Sequence, residues 1–365
     1  MGSWTRESGM TEPPPPSGRF IGAVEEPGES PFLDEAEGMA VEPITQWDLF
    51  WTRLRRHRLA MISAGILAFI ILVVVAAPLM ESAGWIDSPL VRLVDDGGRS
   101  LRNIAPRVND GTINVLPPGE EAVPASATAM IFGSDDLGRG VFTRVIYGGR
   151  ASLTVGFVTG LMVAFLGTMI GSIAGFYPGG VDQSLMRFTD LVLGLPLLPI
   201  AIVVGRILPE LDFLPSWITR GPMGIALLLG ILSWGGLARI VRAEFMSLRE
   251  KEFVEAARAA GASDRRIVFR HILPNAMSPI IVQTTLIVGI AIIVEAALSF
   301  LGFGVPPPTP TWGGMAAEGG RLAVRGFWWE LVFSASALIV TVLSINFLGD
   351  GLRDALDPTQ TIERK

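Results

Sequence analysis

LAMISAGILAFIILVVVAAPLM, Leu59 to Met80, is 22 residues long and carries no charge. As a helix rising about 1.5 Å per residue it reaches about 33 Å, enough to cross a hydrocarbon core of about 30 Å. It starts too late and runs too long for a cleaved signal peptide. Five further charge-poor runs follow, at 151–177, 191–205, 221–238, 272–294 and 331–349. The run at 191–205 is short for a straight crossing and contains Pro196 and Pro199, so the third span is expected from near Gln183 to near Leu208, kinked at the prolines. The reading is an all-α polytopic membrane protein with six transmembrane helices.

Composition leads to the same place. The chain has 365 residues, 50% hydrophobic and 18% charged, against about 25% charged in a soluble domain. There is no Cys, which excludes disulfides, thiol catalysis and Cys-ligated metal, and two His residues leave little for any other metal site. No metal-binding and no catalytic residue is expected, and no nucleic-acid partner.

The net charge of −6 is unevenly spread. Residues 1–45 hold two Arg and nine acids around the run Pro13 to Pro16, a composition expected to stay a disordered acidic tail; Met10 is an alternative start within it. Residues 46–58 read as a basic amphipathic helix lying in the membrane interface, with Trp47, Phe50, Trp51 and Leu54 beside four Arg. Lys and Arg in short loops set orientation. With the amino terminus inside, the inner segments hold 16 and the short outer loops 4, so both termini are expected to be cytoplasmic, with 350–365 an inner tail. Residues 81–150 then form an extracytoplasmic insertion with β-prone pieces such as Thr112–Leu116, followed by an amphipathic segment. Residues 151–349 form a core that carries five of the spans.

The largest inner loop, 246–275, contains EFVEAARAAGASDRRIVFRHILPN, Glu252 to Asn275. Phe253, Ala257 and Ala260 fall at i, i+4 and i+7 and predict a short helix with a small apolar face, Glu255 being placed to pair with Arg258. Gly261 ends that helix as a C′ glycine does. Ser263 is expected to cap a second short helix through Phe269, and Pro274 and Pro279 mark the return to the membrane. On composition alone an amphipathic connector is an equally good account.

The spacing Glu255-Ala256-Ala257, Gly261, then His271-Ile272-Leu273-Pro274 resembles the EAA motif of binding-protein-dependent ABC importers, with His271 standing where the pattern has Ile. FGSDDLGRGVFTRVIYGGR (132–150), RLRRHRLAMISAGIL (53–67), EAALSFLGFGVPPPTPTWGGM (295–315) and NFLGDGLRDALDP (346–358) are similar to the C-type permease subunit of dipeptide and oligopeptide importers. The likeness covers roughly 47–80 and 131–358, leaving the tail and 81–130 outside it.

That resemblance implies a type I ABC importer permease of a prokaryotic inner (plasma) membrane, with the EAA loop between spans four and five acting as a coupling helix. Its residues would be Phe253, Glu255, Ala256, Ala257, Ala260, Gly261, Asp264 and Arg265. It implies a heterodimer with a second permease, two cytosolic ATP-binding subunits carrying ATP and Mg, and an extracytoplasmic solute-binding protein. The solute would be a short peptide, with nickel, glutathione or a sugar as alternatives in the same family. Lys251 and Lys365 are the only lysines and neither follows a glycine loop, so no P-loop is present and no cofactor is expected in this chain. Arg258, Arg265, Arg266 and Arg270 suit either an acidic ATPase surface or inner-leaflet phospholipid.

Two carboxylates within the spans, Asp190 and Glu295, are candidates for the solute pathway, because an ionisable group in hydrocarbon is costly. Asp190 has the alternative of snorkelling or pairing with Arg187, and Glu295 that of bonding a neighbouring helix. Gly156, Gly160, Gly167, Gly171 and Gly175, with Ala164, form a stripe on one face of the second span and are read as helix packing. GVPPPTPTWGG is expected to be non-helical outside the membrane, with Trp312 a contact for a solute-binding protein, part of an outer gate, or a lipid anchor.

Two rivals stand beside the importer reading. An ion-coupled secondary transporter ordinarily needs several membrane carboxylates and repeats, which are not evident here. An intramembrane aspartyl protease is suggested only by Gly349-Asp350, without a second catalytic Asp.

Overall fold

The computed structural model describes residues 46–119 and 121–356. The expected acidic tail at 1–45, and 357–365 of the expected inner tail, lie outside the described residues.

Helix α1, Gln46–Arg56, leads through His57 into α2, Arg58–Ser82. The His57 Nδ1 caps α2 by accepting the Ala60 N–H at 3.1 Å. Helix α2 is apolar on nearly every side, and Phe69, Leu72 and Leu79 are open on its outer surface, as on a helix set in hydrocarbon. Its first turn packs against the last turns of the final helix: Ala60 and Ala355 are buried together with Leu54.

Next comes a small antiparallel sheet, β1 Arg92–Asp95, β2 Ile113–Leu116 and β3 Val123–Pro124, in the order β1-β2-β3 with Leu93 opposite Val115. Val91, Leu93, Ile113, Val115 and Met130 form its own core. The sheet falls within the expected insertion at 81–150 and includes its β-prone piece, while the rest of the described chain is mostly helical. Burial alternates along 113–116, with Ile113 and Val115 inward, as strand geometry requires.

Helix α3, Val141–Phe176, is the longest, at 36 residues. It begins ten residues ahead of the expected span, since Val141 to Arg150 continue the helix beyond the charge-free run. The third span is two helices, α4 Gly180–Leu193 and α5 Leu197–Ile207, and the bent pair reaches Glu210 with an angle of 75° at the break. Pro196 lacks an N–H and turns Leu195 away from helical geometry, so the ladder stops between them. Helix α6 is Pro222–Arg249, α7 Glu252–Ala259, α8 Met277–Phe300, α9 Trp312–Ala323 and α10 Trp329–Leu356. Among the described residues, five helices are long and apolar enough to cross a membrane, and the bent pair makes a sixth crossing if counted as one span.

Boundaries move elsewhere too. Residues 350–356, expected in a tail, belong to α10. GVPPPTPTWGG is irregular only to Thr311, whose Oγ1 accepts the Gly314 N–H at 2.9 Å and starts α9 at Trp312. The prolines stop before the cap, and the glycines that follow are offset by close packing, Gly313 on Ala296 and Gly319 on Leu331.

The glycine stripe is the seam of the bundle. A Cβ at Gly156 or Gly160 would lie 2.7 Å from Ile292 or 2.5 Å from Val288 on α8, and one at Gly167, Gly171 or Gly175 would lie 2.5–2.9 Å from α6 atoms of Leu237, Ala238 or Arg242. Only glycine permits backbones that close.

Candidate functional site

The loop between α6 and α8 is built from three pieces. Helix α7 is held to the bundle by Val254, which is fully buried with Phe245, Ile267 and Ile272. Helical spacing singled out Phe253, Ala257 and Ala260 as the apolar face. The packed side is instead Val254 with the partly buried Ala257, because this pair lies against α6 and the returning chain. Phe253, Ala256 and Ala260, at i, i+3 and i+7, are left exposed as a small apolar face, with Glu255 and Arg258 beside it. No ion pair joins Glu255 to Arg258 among those of the described residues.

Gly261 ends α7 with φ +80°. Its N–H donates to Arg258 O and the Ala262 N–H to Ala257 O, both at 3.0 Å, the paired bonds of a left-handed glycine cap. The chain then runs helically from Asp264 to Asn275, as one turn Asp264–Ile267, a π turn Val268–Ile272 and a short Leu273–Asn275. The expected stop at Phe269 is absent, because the wider π turn accommodates Pro274, which has no N–H to return to Arg270. Ser263 occupies the cap position but its side chain makes no capping bond. Asp264 accepts from Tyr177 Oη at 3.4 Å. Ser263, Arg265, Arg266, Phe269 and Arg270 surround an open depression of about 410 Å³, with the arginines exposed.

The two membrane carboxylates are engaged. Asp190 on α4 pairs with Arg239 of α6, not with Arg187, because α4 lies along α6 and Arg239 faces it. Asp182, about two turns nearer the start of α4, takes Arg242 Nη2 at 2.6 Å and its Nε as well, a bidentate pair. Glu295 is fully buried. It accepts from Ser299 Oγ at 2.7 Å and from Ser152 Oγ of α3 at 3.3 Å, and the same Ser152 Oγ accepts the Trp312 N–H at 3.2 Å. The carboxylate thus ties α3, α8 and the start of α9 together, which is the helix-bonding alternative for this residue.

Trp312, taken as an exposed contact or anchor, is 2% exposed. Its ring lies over Gly148 and Gly149, where a Cβ on Gly149 would come within 2.8 Å of it.

A buried charged cluster at the start of α3 escaped the sequence reading. Asp135, with no exposure, accepts the Leu137 and Arg139 N–H groups at 2.9 and 2.7 Å and Arg139 Nε at 2.6 Å. Arg144 Nε sits 3.4 Å from the same carboxylate and its Nη2 3.6 Å from Glu318. Glu330, 1% exposed, lies near them without a hydrogen-bond partner on either oxygen. The signal was present in Asp135-x3-Arg139-x4-Arg144, charges too close to a membrane helix to be left unpaired.

Comparison with known proteins extends this picture. Residues 167–362 match the family described as binding-protein-dependent transport system inner membrane component, and 45–84 match the N-terminal membrane domain of oligopeptide transport permease C. The dipeptide transport system permease protein DppC of Alkalihalophilus pseudofirmus is 36% identical over 91% of this chain and 95% of its own. The oligopeptide transport system permease protein OppC of Bacillus subtilis is 34% identical over 89% and 93%. Among solved structures, an inward-facing MetNI methionine ABC transporter aligns with a TM-score of 0.49 and 18% identity over 59% of this chain and 97% of that one. The family models cover α2 and the α7 loop, the two named relatives are matched over nearly their whole length, and the chain belongs to the binding-protein-dependent transport system inner membrane components, as a multi-pass permease subunit of an ABC importer.

Proposed function

We propose that this chain forms half of the translocation pathway for short peptides and couples it to ATP hydrolysis on separate subunits. The observation that carries the reading is α7: a helix whose outer face, Phe253, Ala256 and Ala260, is small and open while Val254 and the Gly261 cap fix it to α6. A groove on an ATPase that closes on such a face moves α6 with it, since Val254 packs against Phe245 of that helix. Glu255, Asp264 and Arg265 rim the face and supply polar contacts. The partners are a second permease, two ATP-binding subunits that hold ATP and Mg, and a solute-binding protein on the opposite side. The loop and both termini face the cytoplasm, in keeping with the excess of Lys and Arg on those segments. The names of the relatives, dipeptide and oligopeptide transport, support short peptides as solute.

Ion coupling finds less support, because Asp182 and Asp190 are taken by Arg242 and Arg239 and Glu295 is enclosed by hydroxyls. Dipeptide uptake by cells carrying the whole transporter distinguishes the two. Uptake is expected to stop on ATP depletion with the proton gradient intact, and persistence would overturn the proposal.

A further inference from the structure

Between α3, α5, α6 and α8 lies a half-enclosed cavity of about 190 Å³. Its wall is aliphatic, with Leu197, Ile287 and Val294, except for Thr159, Ser233 and Gln283, and no charged side chain lines it. Thr159 is spoken for, donating to Ala226 O at 3.0 Å. Ser233 and Gln283 are partly exposed and make no hydrogen bond among the described residues.

Their depth makes this informative. Ser233 is eleven residues into the 28-residue α6, and Gln283 six residues into the 24-residue α8, about 16 and 9 Å along their helices. A carboxamide carries two donor hydrogens and an acceptor oxygen, and leaving these unmet in hydrocarbon costs several kcal/mol (roughly 2–7). Leu161 and Phe165, which project from α3 with about two-thirds exposure, have no such need and suit lipid. The cavity wall therefore faces something polar.

We infer that Ser233 and Gln283 line the solute passage and hydrogen-bond a solute that offers amide groups and no unbalanced charge. The inference rests on the peptide-importer reading above. A wall of one carboxamide and one hydroxyl on an aliphatic ground matches a peptide backbone. It offers no counter-charge to hold an ionic side chain or a bare metal ion. Because the two polar groups stand on different helices, a movement of α6 relative to α8 alters their spacing and the grip on the solute.

The chain has no Cys, so single-cysteine variants report unambiguously. Ser233→Cys, Gln283→Cys and the lipid-side control Phe165→Cys are made in the complete transporter. Each is treated with a membrane-impermeant methanethiosulfonate, and the adduct on this chain is read by mass. Residues 233 and 283 are expected to label at least tenfold faster than 165, and saturating dialanine with ATP and the binding protein is expected to slow them. Labelling no faster than at 165, whether lipid or a partner helix covers the cavity, would overturn the inference. In parallel, Gln283→Leu should lower dialanine uptake at least fivefold with assembly intact, and undiminished uptake would equally count against it. Native transporter that takes up no dialanine with ATP would instead refute the peptide-importer reading, leaving the labelling rates to be judged by themselves.

Discussion

The indole N–H of Trp312 donates to the backbone carbonyl of Val145 at 2.8 Å, across 167 residues of chain. This bond locks the first turn of α9 onto the early turns of α3. Replacing Trp312 with Ala should destabilise the protein by about 3–5 kcal/mol, the usual cost of deleting a buried aromatic ring, and Trp312→Phe by appreciably less. Thermal unfolding in detergent checks this, with the Ala variant expected to melt well below the Phe variant.

Gly171 sits where a Cβ would come 2.5 Å from Ala238 O, a backbone atom that has no rotamer to swing away. Gly171→Leu should separate α3 from α6 and prevent recovery of folded protein. Gly65→Ala, at a position with nothing within 4 Å, should be recovered at the native level and melt at least as high. Size-exclusion profiles of the two variants test the contrast.

Asp135 pairs tightly with Arg139 and also lies beside Arg144, which is buried. Asp135→Asn leaves the Arg144 charge poorly compensated and should cost about 3–5 kcal/mol. Arg144→Met in that background should cost much less than the two changes added together. A double-mutant cycle on unfolding midpoints measures the difference.

Gly261 holds φ +80° in open space, so a side chain there meets strain but no clash. Gly261→Asp should cost only about 1–2 kcal/mol locally and leave the bundle assembled. Uptake should fall at least tenfold while the ATPase subunits still hydrolyse ATP. Both rates are read on one preparation of the full complex, and intact uptake would refute the role of the cap.

The spans were legible because 22 uncharged residues in a row have few other uses, and the proline-marked break at 194–196 because Pro196 has no N–H to give. The Gly261 cap was legible for the same local reason. What was not legible depends on which surfaces meet. Trp312 follows four prolines and reads as exposed until Gly148 and Gly149 open a slot for its ring. Asp190 has Arg187 three residues away in sequence, yet α4 turns it to Arg239 on another helix. Helical period gave α7 a short apolar face but not the side that packs: Val254 points at Phe245 and Ile267 while the larger Phe253 is exposed, and burial follows direction, not size.

The central claim is that α7 docks on an ATP-hydrolysing subunit. Benzoylphenylalanine in place of the exposed Phe253, irradiated in the assembled transporter, tests it most directly. A covalent adduct with an ATPase subunit is expected, in higher yield with ATP analogue bound than without. Adducts confined to lipid, with none to an ATPase subunit in either state, would contradict it.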